Sequence, residues 1–249
     1  MVSIILPVFK TSVFLEQLID EIHHSLDAAR YEHEIVAVHD RCPEGSLAEL
    51  EKIAARDNRL IVIDLKLNVG QHKAVLTGMA YSRGDWIGVM DADRQDQPEL
   101  LPLMLTMARR ENAVVFAGRR GQYESPARLV TSKIFKHTLA AVIAIPADAG
   151  MFFVMPGIAR DSILNMRIAK PFVTVMIGAL PLRKLSYPAP RRKREAGRSG
   201  YSSLQRVCIG LGAVVCALQC RFHICRRGKP DYTDHVRAVT GKNRNGSLA

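Results

Sequence analysis

Apolar positions along the chain fall into two alternating rhythms. Val2 to Val8 is a short, β-rich apolar run broken by Pro7. Phe14, Leu15, Leu18, Ile19, Ile22 and Leu26 then recur at three- and four-residue steps, which predicts a helix over 13–29 with one buried face. The exchange repeats with a strand over 34–39, a helix over 46–56 and a strand over 60–64. A helix over 70–82, a strand over 86–90, a helix over 100–110 and a strand over 113–118 follow. Further on, residues 169–179 read as a helix and 182–187 as a final strand. Regular strand–helix alternation predicts an α/β fold, a mostly parallel sheet flanked by helices on both faces. The chain has no internal repeat.

The run Trp86 to Met90 ends abruptly in Asp91, Asp93 and Asp96, and Pro98 and Glu99 then open the next helix, where proline suits the first turn. In open α/β sheets ligands bind outside the carboxyl ends of the strands, which is where these acids fall. Asp91 and Asp93 are separated only by the small Ala92, so both carboxylates can reach one hard cation. Mg²⁺ or Mn²⁺ held by one or two carboxylates completes its shell with substrate phosphates. A solvated acidic turn is the competing reading, and the strand-end position with the flanking Gln95 to Glu99 favours a site.

Composition narrows the picture. With 48% hydrophobic residues the chain is not disordered, and 249 residues suffice for one sizeable core plus an appendage. The start, Met1 to Pro7, lacks the basic region of a secretory leader and runs straight into a strand pattern. Five cysteines form no C-x-x-C pair, which fits a reduced, cytoplasmic setting. The net charge of +11 is concentrated: between Arg183 and Lys229 there are twelve Lys and Arg and one acid, Glu195. A basic block beside an apolar segment points to an anionic membrane surface rather than to nucleic acid. The apolar segment, Val207 to Cys220, has 14 residues. As a helix it would cover roughly 21 Å, short of the ~30 Å hydrocarbon core. It reads either as an interfacial anchor on the cytoplasmic face of a membrane or as a packing or homo-oligomer helix. The chain thus divides into a domain over 1–203, the apolar helix within 204–225, and a basic flexible tail over 226–249.

Several segments resemble family 2 glycosyltransferases, in the branch that glycosylates polyprenyl phosphates. DADRQDQPE at 91–99 is similar to D-A-D-L-Q-x-P-P-E, SIILPVFK at 3–10 to the opening strand S-V-I-P-V-Y-N, and EIVAVHDRCPEGS at 34–46 to E-I-I-V-V-D-D-G-S-x-D-G-S. Asn68 to Ala74 resembles N-x-G-Q-H-x-A, with Asn68 as a candidate helix cap. Asp148 to Val154 resembles D-x-G-x-F-R-L, and Arg194 to Leu204 resembles R-x-x-G-x-S-K-Y-S-x-x-x-L. Five departures stand out: Lys10 for Asn, His39 for an acid, Arg41-Cys42 for Gly-Ser, the lack of the Arg at Val154 and its neighbours, and Gly200 for Lys with Arg198 nearby.

The resemblance, covering roughly residues 2–222, implies a GT-A, Rossmann-like fold and inverting transfer from a nucleotide-diphosphate sugar, with UDP favoured over GDP, to a polyprenyl phosphate. It implies nucleotide-sugar contacts from Pro7, Asp40, Asp91 and Gln95 and a metal on Asp91 and Asp93. It counts Asp148 with Asp91 and Asp93 as a catalytic carboxylate, one that orients a lipid phosphate and its arginines or deprotonates a hydroxyl acceptor, and assigns acceptor or diphosphate contacts to Arg119, Arg128, Ser132, Arg194, Arg198 and Ser199. Arginine suits planar, bidentate recognition of phosphate. Two other readings stand beside this one: transfer to a hydroxyl of a growing surface glycan, and a non-catalytic nucleotide-sugar-binding module.

Overall fold

The computed structural model describes residues 1–10, 14–120, 145–166, 168, 170–190, 212–220 and 232–241. Its strands are β1 (Val2–Val8), β2 (His33–His39), β3 (Leu60–Leu65), β4 (Trp86–Val89), β5 (Ala113–Arg120), β6 (Phe153–Pro156), β7 (Arg183–Pro190) and β8 (Val236–Thr240). Its helices are α1 (Leu15–Ala28), α2 (Ser46–Arg56), α3 (Gln71–Tyr81), α4 (Leu101–Glu111, entered through a 3₁₀ turn at Pro98–Leu100), α5 (Gly157–Leu164) and α6 (Val173–Gly178); residues 212–220 are also helical.

The strands form a single sheet in the order β7-β5-β6-β4-β1-β2-β3-β8. β1 pairs in parallel with β2 and β4, β2 with β3, and β5 with β7. β6 enters antiparallel between β4 and β5, and β8 runs antiparallel along β3. Both faces of the sheet are covered, which is why β1, β2 and β3 read as almost unbroken apolar runs. Alternate residues divide between two cores: Ile5, Val36 and Val38 face α3, α5 and α6, while Ile4, Leu6 and Ile35 face α1, α2 and α4.

Four differences from the sequence reading have local causes. The helix expected over 169–179 is only Val173–Gly178, because Pro171 disfavours helical geometry at the residue before it and Phe172 is extended. The last expected strand continues to Pro190. β6 was not anticipated, being four residues long and beginning at the end of a segment read as a motif. Residues 236–240, inside the stretch read as a flexible basic tail, are strand β8. Lys66 N–H donates to His235 O and Arg237 lies 3.6 Å from Asp64.

Among the described residues no helix is long and apolar enough to cross a membrane. The helical run 212–220 packs on the body through small residues, with Ala213, Cys216 and Ala217 buried, while Val214, Val215 and Leu218 stay exposed.

Candidate active site

The loops that follow β1, β2, β3 and β4 leave the same edge of the sheet. Three of them hold a non-glycine residue at positive φ: Lys10 (55°), Arg41 (52°) and Arg94 (59°). Left-handed backbone in such residues persists only where surrounding contacts enforce it, and it gathers at functional sites.

The acidic loop is the most strongly held. Asp91 follows buried Met90, and its N–H donates to Asp96 Oδ2 at 3.1 Å; Asp96 is 7% exposed. Gln95 N–H donates to Asp93 Oδ1 at 3.1 Å, closing the turn. Arg94, forced into the left-handed region, reaches back to Glu21 on α1 at 2.9 Å and lies over the Phe14 ring. From the first turn of α3, Gln71 Nε2–H donates to Asp91 Oδ1 at 2.5 Å. One carboxylate of the pair is therefore oriented by an amide, and the loop backbone by a buried acid.

Asp40 serves this arrangement from below. It is 3% exposed, and its two carboxylate oxygens accept the Val69 and Gly70 N–H groups at 2.7 and 2.9 Å. Burial raises its pKa above the usual carboxylate value, and these two hydrogen bonds pull the other way. The resemblance implied a nucleoside contact for Asp40. The structure engages its carboxylate with the loop that launches α3, which places Gln71. Asn68 is not the cap of that helix: its amide donates to Asp40 O at 3.1 Å, and Gly70, at φ 84°, is the N-cap. Pro7 lies in β1 opposite Val38, half-buried.

Three of the departures from the family pattern, Lys10, His39 and Cys42, contact one another. His39 Nδ1–H donates to Asp64 Oδ1 at 2.7 Å, and its Nε2 accepts the Cys42 N–H at 3.1 Å, which sets the tautomer. Cys42 Sγ in turn accepts the Lys10 N–H at 3.1 Å. Lys10, Cys42 and His39 thus form one network tying the β1 and β2 loops together.

Asp148 stands in the loop before β6 and accepts a hydrogen bond from Ser186 Oγ–H of β7 at 2.7 Å. Arg119 is on β5, paired with Ala189. Arg128, Ser132, Arg194, Arg198 and Ser199 lie outside the described residues. The acidic loop reaches the same side of the site, since Gln97 Nε2–H donates to Pro190 O at 2.6 Å.

His72 is packed against Phe172 with ring centroids 4.0 Å apart, and its Nδ1 accepts the Val173 N–H at 3.3 Å. Burial lowers its pKa to about 4. Three contributors were not singled out from the sequence. Gln71 stood within a matched segment and Asp96 within the acidic run, so both had a signal. Ser186 had none, because its partner lies 38 residues away.

The described residues contain no cluster of three or more His, Cys, Asp or Glu side chains suited to a metal. What the acidic loop offers is a pair of carboxylates. Hard oxygen donors on two residues fit Mg²⁺ or Mn²⁺ whose remaining ligands come from a bound diphosphate, and do not fit a closed zinc site.

A mostly parallel sheet with one antiparallel strand inserted between β4 and β5, and acidic residues at the carboxyl end of β4, defines a GT-A glycosyltransferase fold. The chain belongs to glycosyl transferase family 2, whose model matches residues 3–159. It is 28% identical over 220 residues to an undecaprenyl-phosphate 4-deoxy-4-formamido-L-arabinose transferase of Proteus mirabilis, covering 86% of this chain and 67% of that protein. The chain spans 62–67% of the length of the first curated relatives it matches. Among solved structures it resembles the mannosyltransferase PcManGT from Pyrobaculum calidifontis in complex with GDP-Man and Mn²⁺ (TM-score 0.64, 14% identity, 93% of this chain and 66% of that one). It also resembles glucosyl-3-phosphoglycerate synthase from Mycobacterium tuberculosis in complex with Mn²⁺, UDP and phosphoglyceric acid (TM-score 0.59, 18% identity, 92% and 80%). At these identities the structural likeness speaks for the fold. The protein is a family 2 glycosyltransferase, and the antiparallel β6 and β8 modify the mostly parallel sheet expected from its sequence.

Proposed function

We propose that the protein transfers a sugar, with inversion at the anomeric carbon, from a nucleotide-diphosphate sugar to a polyprenyl phosphate. The observation that carries this reading is the Asp91-Ala92-Asp93 turn at the end of β4, with Asp91 oriented by Gln71 and the turn folded on buried Asp96. Bound at Asp91 and Asp93, Mg²⁺ or Mn²⁺ would neutralise charge developing on the leaving nucleoside diphosphate. Mn²⁺ in the solved complexes of structural neighbours supports that assignment. Pro7 and Gln95 face the nucleotide sugar in this reading, and Asp40 acts through the loop it holds. UDP-sugars are the first donors to test and GDP-sugars the second.

The acceptor is argued from chemistry. A phosphate monoester loses its second proton near ~6, so it reaches the site already nucleophilic and needs orientation rather than a base. Arg119, Arg128, Arg194 and Arg198, with Ser132 and Ser199, would hold the phosphate and match its charge, and Asp148 would orient those arginines. The name of the Proteus relative supports undecaprenyl phosphate.

The helical run 212–220 supports attachment to the cytoplasmic face of a membrane. Its outer apolar residues Val214, Val215 and Leu218 are exposed, and the sequence around it is strongly basic. The three described cysteines, Cys42, Cys216 and Cys220, are free, as a reducing compartment requires.

The test is a donor screen with UDP- and GDP-sugars, Mn²⁺ or Mg²⁺ and undecaprenyl phosphate in mixed micelles, scoring lipid-linked sugar and free nucleoside diphosphate. Lipid-linked product that disappears with excess chelator is expected. Product appearing only on a glycan hydroxyl would overturn the acceptor, and turnover indifferent to chelator would overturn the metal.

A further inference from the structure

A three-strand bridge lies behind Asp148. β5 is flanked by β6 on one side and β7 on the other. Asp148 belongs to the loop leading into β6, whereas Ser186 belongs to β7, in register with Phe116 of β5. Their hydrogen bond, Ser186 Oγ–H to Asp148 Oδ2 at 2.7 Å, therefore crosses over β5. The crossing point is Gly118. A Cβ there would overlap both Asp148 Oδ2 and Ser186 Oγ and would sit 3.0 Å from Asp148 Cγ. Only a residue without a side chain lets the hydroxyl and the carboxylate meet.

The bond also divides the two oxygens of Asp148. Oδ2 is held by Ser186, and among the described residues Oδ1 accepts no hydrogen bond. A hydroxyl donating to a carboxylate is a charge-assisted contact, short and directional. It restrains rotation about the Cβ–Cγ bond, which in Asp is otherwise broad and nearly two-fold.

We propose that Ser186 is a positioning residue that fixes Asp148, across Gly118, so that Oδ1 is turned to hold the cationic side chains that bind the acceptor phosphate. The inference rests on the transferase reading and adds to it a residue with no sequence signal. Ser186 touches no reacting atom; it acts through the orientation of Asp148. Among the described residues, those assigned to the nucleotide sugar, Pro7, Asp91 and Gln95, make no hydrogen bond with Ser186, whose hydroxyl is used on Asp148.

The experiment compares three substitutions in the full chain with a nucleotide sugar and undecaprenyl phosphate. Ser186→Val and Ser186→Thr have nearly the same shape and differ in the hydroxyl, while Gly118→Ala leaves both partners and blocks their approach. Ser186→Val is expected to lower kcat by roughly ten- to a hundredfold with an unchanged KM for the nucleotide sugar. Ser186→Thr should restore kcat to within about threefold of wild type, the small remainder being repacking. Gly118→Ala should behave like Ser186→Val. If Ser186→Val does not fold, as judged by thermal melting, Ser186→Ala takes its place in the comparison. Equal kcat for the hydroxyl-bearing and hydroxyl-lacking variants overturns the inference and leaves the transferase reading standing. A loss expressed in the nucleotide-sugar KM rather than in kcat does the same. Absence of sugar transfer by the wild type overturns both.

Discussion

Acid should weaken this protein through His72, and the size of the effect can be worked from its environment. The ring lies between α3 and the start of α6, stacked on Phe172, with Nδ1 accepting the Val173 N–H. Protonation would remove that acceptor and place a charge where burial disfavours it, so the folded-state pKa falls from 6.5 to about 4. Between those values the unfolded chain binds more protons than the folded one, so stability rises with pH there. The contribution is complete above pH 6.5 and is lost as pH falls towards 4, reaching about 3 kcal/mol. Against a total of ~5–15 kcal/mol for a folded domain this is a substantial fraction. The residue before it in sequence, Gln71, orients Asp91, so strain at His72 should reach the acidic loop before the whole domain unfolds. The assay is urea unfolding from pH 7.5 to 4, wild type against His72→Asn. Asparagine can still accept the Val173 N–H but does not titrate. The variant should be less stable at pH 7.5, having lost the ring packing, yet show a shallower fall with acid. Parallel stability–pH curves for the two proteins would refute the reasoning.

Four further outcomes are expected. Asp93→Ala should abolish sugar transfer without lowering the melting temperature, and retained activity would remove Asp93 from the metal site. Gln71→Leu deletes a charge-assisted contact worth ~1.5–3 kcal/mol. It should raise the Mn²⁺ concentration for half-saturation in water-proton relaxation measurements, and an unchanged titration would show that Asp91 orients itself. With polyprenyl phosphate as acceptor, Arg119→Ala or Arg128→Ala should cost roughly one to two decades in kcat/KM while Asp148→Asn keeps part of its activity; the opposite ranking would favour a hydroxyl acceptor. Replacing exposed Val214, Val215 and Leu218 with asparagine should release the protein from anionic vesicles with little change in melting temperature, whereas loss of self-association instead would make that face a subunit contact.

Much of this protein is written locally. Apolar periodicity placed most of the described helices and parallel strands within a few residues, because a strand buried on both faces must be apolar throughout and a covering helix must have one apolar face. The acidic turn was equally legible, since Asp91, Asp93 and Asp96 follow a buried run without a gap. Four-residue β6 and edge strand β8 were not, because short strands are selected by the partner they pair with rather than by their own pattern. The site shows the same division. Sequence placed Asp40 at a strand end and Asp148 in a matched motif but could not say what their carboxylates would meet. Tertiary structure turned Asp40 inward onto the Val69 and Gly70 amides and brought Ser186 to Asp148 over Gly118. Hydrogen bonds of this kind join residues tens of positions apart and depend on strand order. Local periodicity carries no information about strand order; the folded sheet supplies it.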